Sequence, residues 1–320
     1  MTKTISNQPV LSIIIVNWNT GKLLRQCIQS VHRSTHKTLF EIWVIDNGST
    51  DGSIEMMKTE YPKVNLVANN LNLGFSKANN FGIGKSTGRF VCLMNTDVEV
   101  LDGCLDQLSE FLKRNPKAGL VGPRILNRDK SLQISCYGHP TFWNGLCYGL
   151  GLDQVLPRSN RFGGMYRKYW PYDRLRPVDV VSGCLCVAKR DAMDEVGPLD
   201  EDFFMYMEDF DWCKRFAEKG WEVYYAPEAQ AIHFGGGSSS DKSENYWIER
   251  NRAMARYWKK HHGFIGKGYI LSMIFLRHLL RTIQGLIWYV LKPSQKVTLR
   301  PKIKESVASL HWLLGIRASK

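Results

Sequence analysis

The stretch that most constrains the fold is Val10–Val16, "VLSIIIV", which runs straight into Asn17-Trp18-Asn19. A continuous apolar run of this length is what a strand covered on both faces looks like. The pattern recurs. "FEIWVID" runs into Asn47-Gly48, and "RFVCLMN" ends in Asn95-Thr96-Asp97. Between these runs lie helical patterns: "GKLLRQCIQSVHRS", the short "SIEMMKTEY" and "SKANNFGIGKS", with "KVNLVAN" as a further strand. Strand and helix in alternation predict an α/β fold with a mostly parallel sheet and right-handed crossovers. Parallel strands bring Asn17, Asp46 and Asn95–Asp97 to one edge, where ligands of such sheets bind. Any one of these endings is ordinary turn chemistry; three, each closing a buried strand, point to a site.

Further on, "CLDQLSEFLKRNP" reads as a helix and "AGLVGPRIL" as a strand. Residues 136–177 have weak periodicity and read as one long irregular segment. "VDVVSGCLCVAKRDAMDEV" predicts a strand and a helix, "MYMEDFDWCKRF" opens another helix, and "EVYYAP" and "AQAIHF" read as two short strands. If that helix starts near Glu208, then Asp209, Trp212, Cys213 and Phe216 share its inward face and Asp211 points away.

The net charge of +13 raises the question of nucleic acid, but residues 241–320 hold 16 basic and 4 acidic residues, while residues 1–240 are near neutral. A basic tail without a recognised nucleic-acid motif argues for no nucleic-acid partner. Eight cysteines with no Cys-x-x-Cys pair, several inside apolar runs, fit a reduced, cytosolic chain rather than a disulfide or zinc framework. No secretory signal is read, because "VLSIIIV" is short and fits a strand.

Six stretches carry a resemblance: "SIIIVNWN", "VIDNGSTDGS", "NLGFSKANNFGI", "LMNTDVEV", "VSGCLCVAKRDAMDEVGPLDEDFFMYMEDFDWCKR" and "AIHFGGGSS". In this order the chain resembles a family-2 glycosyltransferase with the GT-A fold, near the rhamnosyltransferase-like branch, over about residues 10–240. The resemblance implies a GT-A catalytic domain over residues 1–240. About 10–130 would bind the nucleotide-sugar, and about 131–240 would supply the acceptor side and catalytic base. A basic, amphipathic helical extension would follow over 241–320.

It further implies transfer from a nucleotide-sugar, with Mg²⁺ or Mn²⁺ neutralising the leaving diphosphate. Asn95-Thr96-Asp97 stands where the family has Asp-x-Asp. The metal role therefore passes to Asp97 alone, and Asn95 is left to a ribose or a metal-bound water. His233 can complete the metal site, although a lone His after an apolar run also reads as structural. Asn17, Asp46 and Asn47 would line the base pocket. Gly74, Lys77 and Asn80 stand at a loop entering a helix, where backbone N–H groups suit anions. Lys77 reads equally as an exposed helix lysine. Asp209 is a helix cap or, as the resemblance favours, the general base, with Glu208 touching the acceptor. Metal charge and the helix dipole are expected to keep the Asp209 pKa low.

Inversion and an L-rhamnose donor, dTDP-rhamnose, follow from the branch. UDP- or GDP-sugar donors and a sugar nucleotidyltransferase are the alternatives. The acceptor would be a glycan or lipid-linked hydroxyl in cell-surface polysaccharide synthesis. In residues 269–291, Arg277 and Arg281 cost roughly 5–7 kcal/mol at a bilayer centre against roughly 4–7 returned by twelve apolar residues. The segment therefore reads as an in-plane helix, with residues 264–304 on an anionic membrane surface. A peripheral enzyme on the inner face of the cell membrane results; the other reading is a helix packed on protein.

Overall fold

The apolar runs do form strands, and both their faces are covered. The computed structural model describes residues 8–235, 244–291 and 296–315. Its strands in chain order are β1 (Leu11–Asn17), β2 (Phe40–Asp46), β3 (Asn65–Ala68), β4 (Phe90–Asn95), β5 (Val98–Val100), β6 (Ala118–Leu126), β7 (Cys136–Tyr137), β8 (Arg176–Pro177), β9 (Val180–Val181), β10 (Leu185–Lys189) and β11 (Glu222–His233). The helices are α1 (Gly21–Ser34), α2 (Ser53–Glu60), α3 (Phe75–Lys85), α4 (Cys104–Arg114), α5 (Phe142–Gly149), α6 (Leu152–Val155), α7 (Arg190–Val196), α8 (Glu208–Glu218), α9 (Glu244–Leu291) and α10 (Lys296–Leu313).

A nine-stranded sheet runs β3-β2-β1-β4-β10-β6-β11-β5, with β8 on β11. Strands β3, β2, β1 and β4 are mutually parallel, whereas β10 is antiparallel to both its neighbours and β5 is antiparallel to β11. Ile13 and Ile15 of β1 share a core with Leu24, Ile28 and Val31 of α1 and Leu105 and Leu108 of α4. Ile14 faces the other way, onto α3, where Gly82 sits so close that a Cβ would lie 2.6 Å from Ile14 Cγ2. Only glycine lets that helix approach the sheet. The two strands expected in 222–234 are one, β11, broken by a register shift between Ala226 and Gln230. A bulge there bends the strand without ending it.

The chain forms two compact units, and they differ from a division at residue 240. One comprises Met1–Tyr137, Tyr172–Phe204 and Glu208–Ser240; the other Gly138–Pro171, Met205–Met207 and Asp241–Lys320. The segment expected to be irregular thus supplies α5, α6 and a short 3₁₀ turn to the second unit.

In that second unit α9 is kinked at Gly263 (φ 67°, ψ −164°). Trp258, His262 and Tyr269 of α9 surround Phe142 of α5 with ring-to-ring centroid distances of 5.2, 5.3 and 4.9 Å. Arg277, Arg281 and Gln284 share one helical stripe, which the sequence reads as the polar side of an in-plane helix. In the structure Arg277 bonds Asp153 at 2.8 Å and Arg281 bonds Glu305 of α10 at 2.7 Å. Partner acids inside the unit turn the arginines inward, and the apolar residues Leu279, Ile283, Leu286, Ile287 and Val290 are exposed. By length and composition this is one helix long and apolar enough to cross a membrane.

Candidate active site

The register of β1 sets Asn17 beside Asp46 and Val16 beside Asn95, so three strand ends meet at one edge. Asp46 is buried and accepts from Asn17 Nδ2 at 2.6 Å and from the Ser49 amide at 2.7 Å. Asn17 Oδ1 accepts from Thr20 Oγ1, and the Thr20 and Thr96 hydroxyls bond each other at 2.8 Å. A continuous polar chain therefore joins the ends of β1 and β2 to the Asn95-Thr96-Asp97 turn. Thr20, Ser49 and Thr96 were not singled out from sequence, although all flank residues that were. Asn47 donates to Asn72 Oδ1 and the Gly74 carbonyl and accepts from Asn69.

The expected anion cradle at Gly74 is not formed. Gly74 N–H donates to Asn72 Oδ1 and Phe75 N–H to the Phe204 carbonyl. With φ at +84°, a Cβ on Gly74 would lie 2.6 Å from that carbonyl. One N–H is taken by its own turn and the other by the neighbouring loop, which leaves no open N–H pair at Gly74 and Phe75. Asn80 likewise clamps Leu199, donating to its carbonyl at 2.8 Å and accepting its N–H at 3.0 Å. Lys77 is exposed on α3.

Asp97 and His233, far apart in sequence, come together. The pairing of β11 with β5 sets His233 opposite Val98, and buried Asp97 Oδ1 lies 3.2 Å from His233 Nε2. Behind the ring, His233 Nδ1 meets Gln133 Oε1 at 2.6 Å. Gln133 Nε2 donates to Asn127 Oδ1 and to the His233 carbonyl, so its Oε1 must accept, and Nδ1 carries the proton. The Nε2 that faces Asp97 then either carries a second proton or offers its lone pair to a cation. A carboxylate and an imidazole nitrogen oriented from behind by an amide form a donor set that fits a divalent metal. Among the described residues no three His, Cys, Asp or Glu side chains cluster in metal-binding fashion. Asp97 and His233 would therefore supply two ligands, leaving positions for diphosphate oxygens and water. Gln133, a hundred residues from His233, gave no sequence signal.

Helix α8 starts at Glu208, entered through Tyr206 and Met207 at φ +72° and +66°. Non-glycine residues there cost about 1–3 kcal/mol each, a strain that tends to collect at functional sites. Asp209 Oδ2 accepts from the Gly183 amide at 3.0 Å and Oδ1 from Phe210 N–H at 2.9 Å. The next residue, Cys184, accepts the Asn95 N–H at 2.9 Å. Asp209 is thereby tied to the same chain edge as the Asn95–Asp97 turn. Burial, then the charges of Asp97 and Asp209, push the Cys184 thiol up to about 12 against a hydrogen bond from Ser182.

Glu208 is buried, and its Oε2 has no hydrogen-bond partner among the described residues. Burial, then the Asp209 charge, holds its carboxyl well above the ordinary range. Asp209 is also raised, by burial against the amides of Gly183 and Phe210. Desolvation thus overrides the low value expected from the helix dipole. Asp211 leaves the Asp209 face as expected, but not toward water. It is fully buried and pairs with Arg215 at 2.8 Å, and Arg215 also donates to the carbonyls of Val196, Gly197 and Pro198.

Residues 12–195 match the model of glycosyl transferase family 2. The chain belongs to this family. The transferase is 32% identical over 235 residues to the N-acetylglucosaminyl-diphospho-decaprenol L-rhamnosyltransferase of Mycobacterium tuberculosis, covering 70% of this chain and 76% of that one. To the low-salt glycan biosynthesis hexosyltransferase of Haloferax volcanii it is 26% identical over 228 residues, covering 70% and 66%. Among solved structures it resembles a Pyrobaculum calidifontis mannosyltransferase in complex with GDP-Man and Mn²⁺ (TM-score 0.54, 16% identity, 97% of this chain, 87% of that). It also resembles GalNAc-T7 with UDP, GalNAc and Mn²⁺ (TM-score 0.55, 16% identity, 80% of this chain), spanning 49% of that chain. The transferase has the GT-A fold with a C-terminal helical extension, and it is a hexosyltransferase of the rhamnosyltransferase-like branch.

Proposed function

We propose that the enzyme moves L-rhamnose from dTDP-rhamnose, with inversion, to a hydroxyl of a lipid-linked glycan in cell-surface polysaccharide synthesis. The observation that carries this reading is the shared edge at Cys184, bordered on one side by the Asp97–His233 pair and on the other by Asp209. Asp97 and His233 hold Mg²⁺ or Mn²⁺, which when bound neutralises the leaving diphosphate as a Lewis acid. Gln133 fixes the imidazole so that Nε2 faces the metal position. Asn17, Asp46 and Asn47 shape the wall of the base pocket, and Asn95 reaches the ribose.

Asp209 takes the proton from the acceptor hydroxyl. The Gly183 amide holds its Oδ2 in place, and its raised pKa brings it nearer the working pH than an exposed aspartate. Glu208 stays protonated beside it and contacts the acceptor as a donor. The glycine- and serine-rich stretch after His233, which as a sequence would suit a loop closing over the diphosphate, lies outside the described residues from 236 to 243.

The name of the Mycobacterium relative supports a diphospho-polyprenol acceptor for this enzyme too. The exposed row Leu279, Ile283, Leu286, Ile287 and Val290 supports an α9 that lies on an anionic membrane surface with its apolar side in the lipid. That face is the one an in-plane helix needs; what differs from the sequence reading is that Arg277 and Arg281 pair with acids of the protein. The test is transfer from a panel of dTDP-, UDP- and GDP-sugars to N-acetylglucosaminyl-diphospho-polyprenol in vesicles. Transfer from dTDP-rhamnose alone, with inverted linkage, is expected; transfer only from a UDP- or GDP-sugar would refute the donor.

A further inference from the structure

Within the second unit, α9 helps enclose a cavity of about 220 Å³ lined by Tyr148, Tyr166, Arg250, Asn251, His278 and Glu305, among others. Arg277 and Arg281 also reach it, but each is neutralised, by Asp153 and Glu305 respectively. Arg250 is not. Among the described residues it has no carboxylate or hydrogen-bond partner. Its guanidinium instead lies 5.9 and 5.4 Å from the ring centroids of Tyr246 and Trp247.

Two further groups on the cavity wall are buried without a hydrogen-bond partner among the described residues, Asn251 Nδ2 and His278 Nδ1. Their side chains are 6% and 3% exposed. Burial, then Arg281 and Arg277, push His278 down to about 3, so its ring is neutral and offers one N–H. A buried donor left unmade costs about 1–3 kcal/mol. Three unfinished polar groups around one cavity describe a site whose remaining partners come with a ligand.

The chemistry of that ligand follows from what the wall offers. Arg250 and the Asn251 amide nitrogen are donors, and the carboxylates of Asp153 and Glu305 are occupied by arginines. The ligand must therefore be an anion rich in acceptor oxygens. At about 30 Å³ per water, the cavity holds the equivalent of about seven water molecules, too large for a halide and ample for two linked phosphates. Arginine forks suit phosphate oxygens.

We propose that this cavity binds the diphosphate of the lipid-linked acceptor. The inference rests on the acceptor reading above. A phospholipid headgroup offers the same phosphate chemistry, and the experiment separates the two.

Full-length protein is stripped of metal, so that the donor site does not retain pyrophosphate, and titrated calorimetrically with inorganic pyrophosphate. Arg250→Gln should weaken binding by about tenfold to a hundredfold, the worth of a hydrogen bond to a charged group, and Arg250→Lys should restore part of it. Asn251→Asp, which brings a negative charge into the cavity, should weaken it as well. Thermal melts of the Arg250 variants should fall by no more than the loss of two ring contacts brings, because Arg250 holds no ion pair among the described residues, and the variants should stay folded at the titration temperature. Kinetically, Arg250→Gln should raise the KM for a polyprenyl-diphosphate acceptor about tenfold or more while the donor KM stays within about twofold. A phosphate-free alkyl glycoside acceptor should not distinguish the variant from wild type.

Unchanged pyrophosphate binding in Arg250→Gln, or equal losses with both acceptors, would overturn the proposal. Competition by phosphatidylglycerol vesicles that depends on Arg250 and matches that of the lipid diphosphate would reassign the cavity to headgroups. Arg250-dependent pyrophosphate binding in an enzyme that transfers to no polyprenyl diphosphate would refute the acceptor reading and leave the anion site standing.

Discussion

The strand-end site of the first unit and the cavity of the second carry opposite charge deficits. Beside the strand ends, at the start of α8, buried Glu208 and half-buried Asp209 have no cationic side chain bonded to either among the described residues, and both are pushed toward their protonated forms. In the cavity a guanidinium, Arg250, has no carboxylate partner among the described residues and lies against the rings of Tyr246 and Trp247. Each deficit has a satisfied counterpart nearby: Asp211 with Arg215 in α8, and Arg277 with Asp153 across the second unit. Asp211 and Arg277 are thus neutralised within the fold. On the reading proposed above, the partners missing at Glu208, Asp209 and Arg250 come with ligands: a metal and a reacting hydroxyl in one place, a phosphate-bearing lipid in the other.

The contrast inside α8 gives the largest expected effect. Asp209→Asn should cut the rate of transfer by about 10²- to 10⁴-fold with nucleotide binding, followed by calorimetry, nearly intact. Asp211→Asn should instead destabilise the fold by about 3–5 kcal/mol in urea unfolding, with the rate per folded molecule retained. Equal kinetic losses in both would erase the distinction. The second unit offers the matching pair. Arg277→Met strands Asp153 as a buried charge and should cost about 3–5 kcal/mol, seen as faster proteolysis of residues 138–171. Arg250→Gln breaks no ion pair and loses only its contacts with the Tyr246 and Trp247 rings, so it should cost no more than about 1–2 kcal/mol.

Smaller effects sharpen the picture. Gln133→Leu frees the His233 ring from behind and should weaken Mn²⁺ affinity by about 10- to 100-fold by paramagnetic resonance titration. The pH dependence of stability has a definite sign. The folded pKa of Glu208 lies above its unfolded value, so its contribution is present below the ordinary carboxyl range and lost as pH rises through the raised value. Glu208→Gln does not titrate, so it should raise the melting temperature at pH 8 by about 2–4 °C per kcal/mol relieved and hardly change it at pH 4.

Much of the first unit was legible because its strands are buried on both faces and end abruptly in Asn and Asp. That pattern alone placed Asn17, Asp46 and Asn95–Asp97 at one edge, and helical periodicity put Asp209 on its own side of α8. What escaped depends on partners distant in the chain. Gln133 reaches His233 across a hundred residues. The burial of Asp211 was in principle readable from Arg215 four residues on, a spacing that pairs charges along a helix. The stripe shared by Arg277 and Arg281 did not show their partners, because Asp153 and Glu305 lie far away in sequence or on another helix. Gly74 and Asn80 sat in a recognisable motif, yet Asn72 takes up the Gly74 N–H, Phe204 the Phe75 N–H and Leu199 the Asn80 amide.

The central claim is that Asp97 with His233 and Asp209 serve one reaction from opposite sides of the Cys184 edge. Anomalous diffraction from crystals grown with Mn²⁺ and an unreactive dTDP-sugar tests it most directly. The account predicts a manganese peak bonded to Asp97 and His233 Nε2, with the anomeric carbon of the sugar lying between that peak and the Asp209 carboxylate. A peak on other side chains, or a sugar whose anomeric carbon turns away from Asp209, would contradict it.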